Sequence, residues 1–303
     1  MDIIGKRNWY FIISLLVIIP GIISLFVFGL NLSIDFTGGS RLTFSLQKSA
    51  TIEEIEKIRN AFENEKIKVS TIEKSNNLVF VRTQPIDQAQ DTKVVKKLES
   101  EIKEFKQEEF ETIGPTIGAE TTSNAVKAVI IASLLIVLYI TLSFRKVPKP
   151  ASSFRFGICA IIALVHDVLV VMGAFAIFGY FFGVEIDSLF VTALLTIIGF
   201  SVHDTIVVFD RIRENLKRVS GLSFDKVVNE SILQTLDRSL NTSLTVVLVL
   251  IALLLFGGES IRWFVVALLI GVISGTYSSI FNASPLLVLW QELSEKLRRN
   301  RNK

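Results

Sequence analysis

Six long apolar runs set the strongest limit on how this chain can fold. They lie at roughly 9–30, 125–144, 156–182, 186–209, 239–256 and 263–290. A helix needs about 20 mostly apolar residues to cross the hydrocarbon core of a bilayer. Each run is near or above that length, so six spanning helices are predicted. The fifth fits a span comfortably only if its helix begins earlier, near Ser231. Mean hydropathy is +0.53, high for a soluble globular protein.

The first run follows Lys6 and Arg7, as the core of a signal peptide would. It covers 22 residues, however, against the roughly 7–15 of a signal core, and no A-x-A-like site follows. A retained anchor is expected. Orientation follows from Lys and Arg in short loops. Lys6 and Arg7 precede span one, and Arg145, Lys146, Lys149 and Arg155 lie between spans two and three. Arg211, Arg213, Lys217, Arg218 and Lys226 follow span four, and Lys296, Arg298, Arg299, Arg301 and Lys303 close the chain. The opposite loops, GYFFGVEID and GGESIR, hold no basic residue and one. Both termini are therefore expected in the cytoplasm. One cysteine, Cys159, excludes a disulfide framework or a cysteine zinc site within one chain, and two histidines exclude a histidine-rich metal cage.

Residues 31–122 then form a soluble insert outside, with 13 basic and 16 acidic residues. RLTFSL alternates like a strand. Thr51 caps a helix whose Ile52, Ile55, Ile58 and Phe62 share a face. KVSTIEKS and NLVFVRTQ read as strands joined through an Asn-Asn turn. DTKVVKKLESEIKEF reads as a helix with Val94, Leu98 and Phe105 as its apolar stripe, and FETIGPTIG as a closing strand. The order β-α-β-β-α-β predicts a ferredoxin-like α+β domain, a fold that names no function. The chain divides as 1–30, tail and first span; 31–122, outside domain; 123–290, five further spans; and 291–303, a basic cytoplasmic tail.

Acidic groups inside spans are expensive, about 2.5–3.5 kcal/mol at a helix centre, and mark ion or proton pathways. Asp167 falls near the middle of span three. Asp204 falls about 9 Å from the cytoplasmic end of span four, six residues before Asp210 at 1.5 Å each. Arg238 lies near or inside the start of span five. VHDVLVV (165–171) and VHDTIVV (202–208) are near copies 37 residues apart, and hold both histidines. Neighbours on a helix point about 100° apart, so His and Asp in each pair are not expected to share a face. A weak internal echo, or histidines bonding another helix, explains the repeat equally well. GTYSS (275–279), Ser239–Ser243 and Gly199 are small residues that let helices pack closely.

Three stretches carry a resemblance to a known family. LSIDFTGGS (32–40) resembles the signature that opens the first outside domain of the SecF family of bacterial protein-export subunits. GFSVHDTIVVFDRIREN (199–215) resembles that family's fourth span, and DRSLNTSLTVVLVLIALLLFGG (237–258) its fifth. The likeness runs along essentially the whole chain. It implies a polytopic α-helical membrane protein, half of a resistance-nodulation-division type bundle completed by SecD. It also implies a proton-driven accessory to the SecYEG channel and the SecA motor, with unfolded exported protein as substrate. Neither a catalytic residue nor a cofactor is implied, nor a nucleic-acid partner. The bacterial inner membrane is the expected location, with a thylakoid membrane also compatible. On the family's pattern, Asp204 and Arg238 serve proton passage, with Thr242 one turn after the arginine. His203 stands where the family often has Asn, which leaves its part in the relay open.

Asp204 facing Arg238 would set desolvation against a nearby positive charge, a switch that small helix movements could tip. Asp167 joins this expected proton pathway as the second buried acid. Asp35, Gly38 and Gly39, where span one meets the outside domain, suit a tight turn or a hinge. RIRENLKR (211–218) reads as a topology determinant beside anionic membrane lipid. Three other readings compete. An intramembrane aspartyl protease needs two carboxylates at one depth sharing a proton, and the chain has no GxGD run. An exporter of small molecules or lipids generally needs twelve spans. A scaffold of the export channel would use no protons, and neutral substitution of Asp204 would leave export intact.

Overall fold

The computed structural model describes residues 1–75, 77–102, 104–145, 148, 152–218 and 221–301. Lys146, Lys149 and Lys303 of the basic segments, and Asn76 of the expected turn, lie outside the described residues. Helix α1 covers Arg7–Val27 and the short α2 Ile34–Thr37. The insert follows as β1 (Gly39–Ser45), α3 (Ile52–Asn64), β2 (Val69–Ser75), β3 (Leu78–Thr83), α4 (Gln88–Glu101) and β4 (Lys106–Ile113). Long helices then run as α5 (Pro115–Ser143), α6 (Ser153–Phe182), α7 (Ser188–Arg218) and α8 (Phe224–Phe256). The last stretch is α9 (Arg262–Ser278), a π-helical turn over Ser279–Ala283, and α10 (Ser284–Arg301). Two compact units result: Met1–Leu30, Lys127–Val184 and Leu189–Lys303 form one, and Asn31–Val126 with Glu185–Ser188 the other.

In the second unit the sheet order is β2-β3-β1-β4, antiparallel throughout. With α3 and α4 between the strands, this is the ferredoxin-like arrangement that the element order predicts. Both helices open on capping boxes. Thr51 and Glu54 exchange hydrogen bonds at α3, as Asp87 and Gln90 do at α4, satisfying otherwise orphaned N–H groups. Leu42, Phe44, Ile58, Phe62, Val79, Val81, Val94 and Leu98 form a fully buried core. Each such side chain stabilises the fold by about 1.5–3 kcal/mol through burial. Three details differ from the periodic reading. The closing strand runs over Lys106–Ile113, earlier than FETIGPTIG, because Pro115 already opens α5. Ile52 sits at the first position of α3 and is 76% exposed. Helix α4 stops at Glu101, so Phe105 reaches the core from the loop, its ring 4.7 Å from that of Phe44.

Among the described residues, six helices are long and apolar enough to cross a membrane. Helix α5 starts at Pro115 and α8 at Phe224, ahead of their apolar runs. Polar turns such as TIGAETTSNA extend the helix without extending its apolar stretch, so hydropathy marks the lipid-crossing part and misses the ends. Pro suits the first helical position, where its missing N–H has no intrahelical role. Two close crossings organise the bundle. Gly21 of α1 meets Gly173 of α6, where a Cβ on Gly173 would lie 2.5 Å from the Gly21 Cα. Gly271 and Gly275 of α9 form a G-x-x-x-G stripe against Ile197 and Ser201 of α7, with hypothetical Cβ contacts of 2.3 and 3.0 Å. Gly199 faces open space and supports no such contact.

Candidate functional site

The two buried carboxylates of the bundle are held very differently. Asp167 on α6 is 1% exposed. Its Oδ2 accepts from Ser201 Oγ at 2.5 Å and Ser278 Oγ at 2.7 Å. Its Oδ1 accepts from Ser274 Oγ at 2.7 Å and lies 3.0 Å from His166 Nδ1. Ser274 and Ser278 are four residues apart, so α9 presents both on one face and supplies one hydroxyl to each oxygen. Ser201 comes from α7, directly beside the Gly275 crossing. The carboxylate thus ties three helices together with its acceptor capacity filled.

Asp204 on α7 is 2% exposed, yet its only hydrogen bonds among the described residues are long. Ser243 Oγ of α8 and Thr276 Oγ1 of α9 both stand 3.4 Å from its Oδ2. Each hydroxyl carries one proton, and nearer acceptors compete for it. Ser243 is 2.9 Å from the Ser239 carbonyl, Thr276 is 2.9 Å from the Val272 carbonyl, and the two hydroxyls are 2.5 Å from each other. Asp204 therefore has the burial of Asp167 without its donors. A second hydroxyl pair lies one residue on: Thr205 meets Ser279 of the π-turn at 2.8 Å, and Ser279 donates to the Ser201 carbonyl at 3.1 Å. Hydroxyls donate and accept, so rows of them can pass a proton. π-Turns recur at functional sites because they redirect side chains out of the regular register.

The other expected members stand elsewhere. Arg238, Thr242 and His203 are exposed on the chain. Thr242 donates to the Arg238 carbonyl at 2.9 Å. Arg238 forms no hydrogen bond or ion pair with Asp204 among the described residues. Helix geometry gives the reason: Arg238 and Ser243 are five residues apart, about 140° around α8, so when Ser243 faces Asp204 the guanidinium does not. His203 and Asp204 diverge as adjacent helical residues should. His166 and Asp167 do not: the His166 ring turns back along its own helix to reach the carboxylate, correcting the expectation of separate faces. His166 Nε2 is buried without a partner among the described residues. The two carboxylates are not hydrogen-bonded to each other, unlike a protease dyad sharing a proton. The serines and threonines around both acids escaped sequence reading as ligands, although GTYSS and Ser239–Ser243 stood out as small residues.

In the other unit, the signature turn is tightly packed. Gly38 has φ +71° and Gly39 φ +130°. A Cβ on Gly38 would lie 2.8 Å from the Pro115 Cα, and one on Gly39 2.8 Å from the Thr83 carbonyl oxygen. Positive φ and close backbone both require glycine here. Asp35 Oδ2 accepts from the Ser188 N–H at 2.8 Å and from its hydroxyl.

Comparison with known proteins agrees with this architecture. The family model for the C-terminal part of protein export membrane protein SecD/SecF matches residues 93–293, and the SecD/SecF GG motif model matches residues 23–50. Protein translocase subunit SecF of Thermobaculum terrenum is 50% identical over 301 residues, covering 96% of this chain and 94% of that one. The subunit SecF of Anaerolinea thermophila is 47% identical over 295 residues, with 96% and 94% covered. The crystal structure of SecDF, a translocon-associated membrane protein from Thermus thermophilus, superposes with a TM-score of 0.83 at 35% identity. That match covers 96% of this chain and 39% of the SecDF chain. With six spanning helices, an inserted ferredoxin-like domain and both family models matched, the chain belongs to the SecD/SecF family of protein export membrane proteins.

Proposed function

We propose that the chain works with a SecD-type partner as a proton-driven accessory of the SecYEG channel and the SecA motor, and that Asp204 is the group that takes up and releases the proton. The reading places both termini in the cytoplasm of a bacterium, the bundle in its inner membrane, and residues 31–122 outside, where they hold an emerging unfolded chain. Neither a catalytic step nor a cofactor belongs to it. The carrying observation is that Asp204 is 2% exposed and has no hydrogen-bond donor nearer than 3.4 Å among the described residues. A neutral carboxylic acid fits such a site, because its O–H can donate to Ser243 or Thr276. A carboxylate fits only when a charge or stronger donors approach. Arg238, exposed on this chain, comes within reach only after α8 turns or shifts, so protonation and helix position would be linked. Asp167 forms the fixed acid of the same pathway, joined to the Thr205–Ser279 pair through Ser201. The energy is of suitable size: one proton crossing 100 mV supplies about 2.3 kcal/mol, and each pH unit adds roughly 1.4 kcal/mol. A few kcal/mol suffices to bias a two-state movement.

The test is export of an unfolded protein into inverted membrane vesicles, comparing wild type and Asp204→Asn with and without a protonophore. Asp204→Asn should match protonophore-treated wild type and ignore the protonophore. Normal, protonophore-sensitive export in the variant would remove Asp204 from the coupling site and favour a scaffold.

A further inference from the structure

The short connection between α6 and α7 is held with more bonds than a connection of its length requires. Links of about 2–8 residues between helices ordinarily close by themselves and stay mobile at the surface. Here Glu185–Ser188 belongs to the compact unit formed by Asn31–Val126. The Ile186 N–H donates to the Asn31 carbonyl at 2.7 Å and the Ser33 N–H donates to the Ile186 carbonyl at 2.9 Å, pairing Leu32 with Ile186 in parallel. Ile186 and Ser33 are buried at 4% and 1% exposure. Glu185 forms an ion pair with Arg82 of β3, whose Nη1 also donates to the Leu32 carbonyl at 3.3 Å. The two charged side chains are 14% and 19% exposed, well beyond the reach of ordinary surface pairs. Asp35 completes the set by accepting twice from Ser188. A carboxylate on the first N–H groups of a helix is favourable, because the helix dipole places positive partial charge there.

Ser188 is also the first residue of α7, the helix that carries Asp204. Sixteen residues separate them, about 24 Å of continuous helix. An α-helix resists stretching, so an axial shift at one end appears at the other. We infer that Glu185–Ser188 is a tether by which Arg82 and Asp35 of the outside domain hold the head of α7, so that displacement of Asp204 on proton transfer and displacement of the domain are mechanically coupled. The tether rests on the proton-coupled reading of Asp204 given above. Coupling of this kind is reciprocal, so cutting the tether should weaken the effect in either direction.

The experiment uses the full chain with its partner in membrane vesicles. Arg82→Glu, Glu185→Arg and the double swap are compared for protonophore-sensitive export and for amide hydrogen exchange over residues 186–190. Each single change sets like charges against each other, which is strongly unfavourable in a desolvated pair. Protonophore-sensitive export is expected to fall about fivefold or more in each single variant, with amide protection lost. The swap should restore both in part, since position 82 also faces Glu73 of β2. Asp35→Ala provides a second cut, on the other side of the tether, if a charge variant fails to accumulate. Asp204→Asn should lose the protonophore response while keeping protection at 186–190. Loss of protection with wild-type export in the single variants would overturn the tether and leave the proton reading standing. Retained protonophore sensitivity in Asp204→Asn would instead overturn the proton reading, and the coupling with it.

Discussion

A buried carboxylate can be a fixture or a moving part, and its hydrogen-bond donors decide which. Asp167 has four partners within 3.0 Å, and Asp204 has none that close. Sequence showed both acids because a carboxylate in an apolar run is conspicuous. It could not show their surroundings, because a hydroxyl in a helix is commonly satisfied by the carbonyl four residues back. Thr141, Thr196 and Thr242 all bond in that way and face no acid. A third buried carboxylate gives a test in the inserted domain. Asp91 is 2% exposed and accepts from Gln107 at 2.7 Å and Gln88 at 3.3 Å. Burial pushes its carboxyl above the ordinary value of 3.8, and the Gln107 bond pulls less strongly the other way. The folded state therefore binds the proton more tightly than the unfolded one. Its stabilising contribution is present below the ordinary value and is lost as pH rises through the folded value. As pH rises above the ordinary carboxylate value, stability of this domain should fall less steeply in Asp91→Asn than in wild type, as read by amide exchange across β1 and β3.

At the scale of elements, helix existence was legible and helix ends were not. Hydropathy tracks contact with lipid, whereas a helix continues for as long as its backbone bonds do. The packing of helices was legible only as a pool of small residues, since a glycine shows its partner only after the helices cross. Gly271 and Gly275 sit on the contact with α7, and Gly199 faces open space. Substituting Gly271 by Ala should destabilise the bundle by about 1–3 kcal/mol, because the new methyl group meets Ile197. Adding Ile197→Val should recover part of that loss, since contacting sites couple. Gly199→Ala should be neutral or stabilise by up to about 1 kcal/mol through helix propensity. Denaturant unfolding of the detergent-solubilised protein by SDS titration distinguishes the three. Equal losses at positions 199 and 271 would show that crossing geometry does not govern stability.

For the whole molecule, three polar residues of the spans, Arg238, Thr242 and His203, are each exposed on the chain. Lipid contact is unfavourable for a guanidinium near the start of a span, so a covering subunit over Arg238 is expected. Thr242→Cys should react readily with a lipid-soluble maleimide when the chain is expressed alone, and fall to near background when a SecD-type partner is co-expressed. The native Cys159 is buried and gives a low baseline. Unchanged labelling with the partner bound would place the interface elsewhere. Composition and periodicity by themselves determined the spans, the inserted β-α-β-β-α-β domain and the two acids within the membrane, because lipid contact and strand or helix period are written locally along the chain. The GG turn could be noticed in sequence, but its reason could not. Gly38 and Gly39 are required by Pro115 and Thr83, far along the chain. Only tertiary structure decided that Asp167 is caged while Asp204 is not, that Arg238 turns outward, and that Glu185–Ser188 joins the inserted domain. Those outcomes depend on which helix faces meet, and facing is a property of crossing angle and close contact between residues up to 155 positions apart.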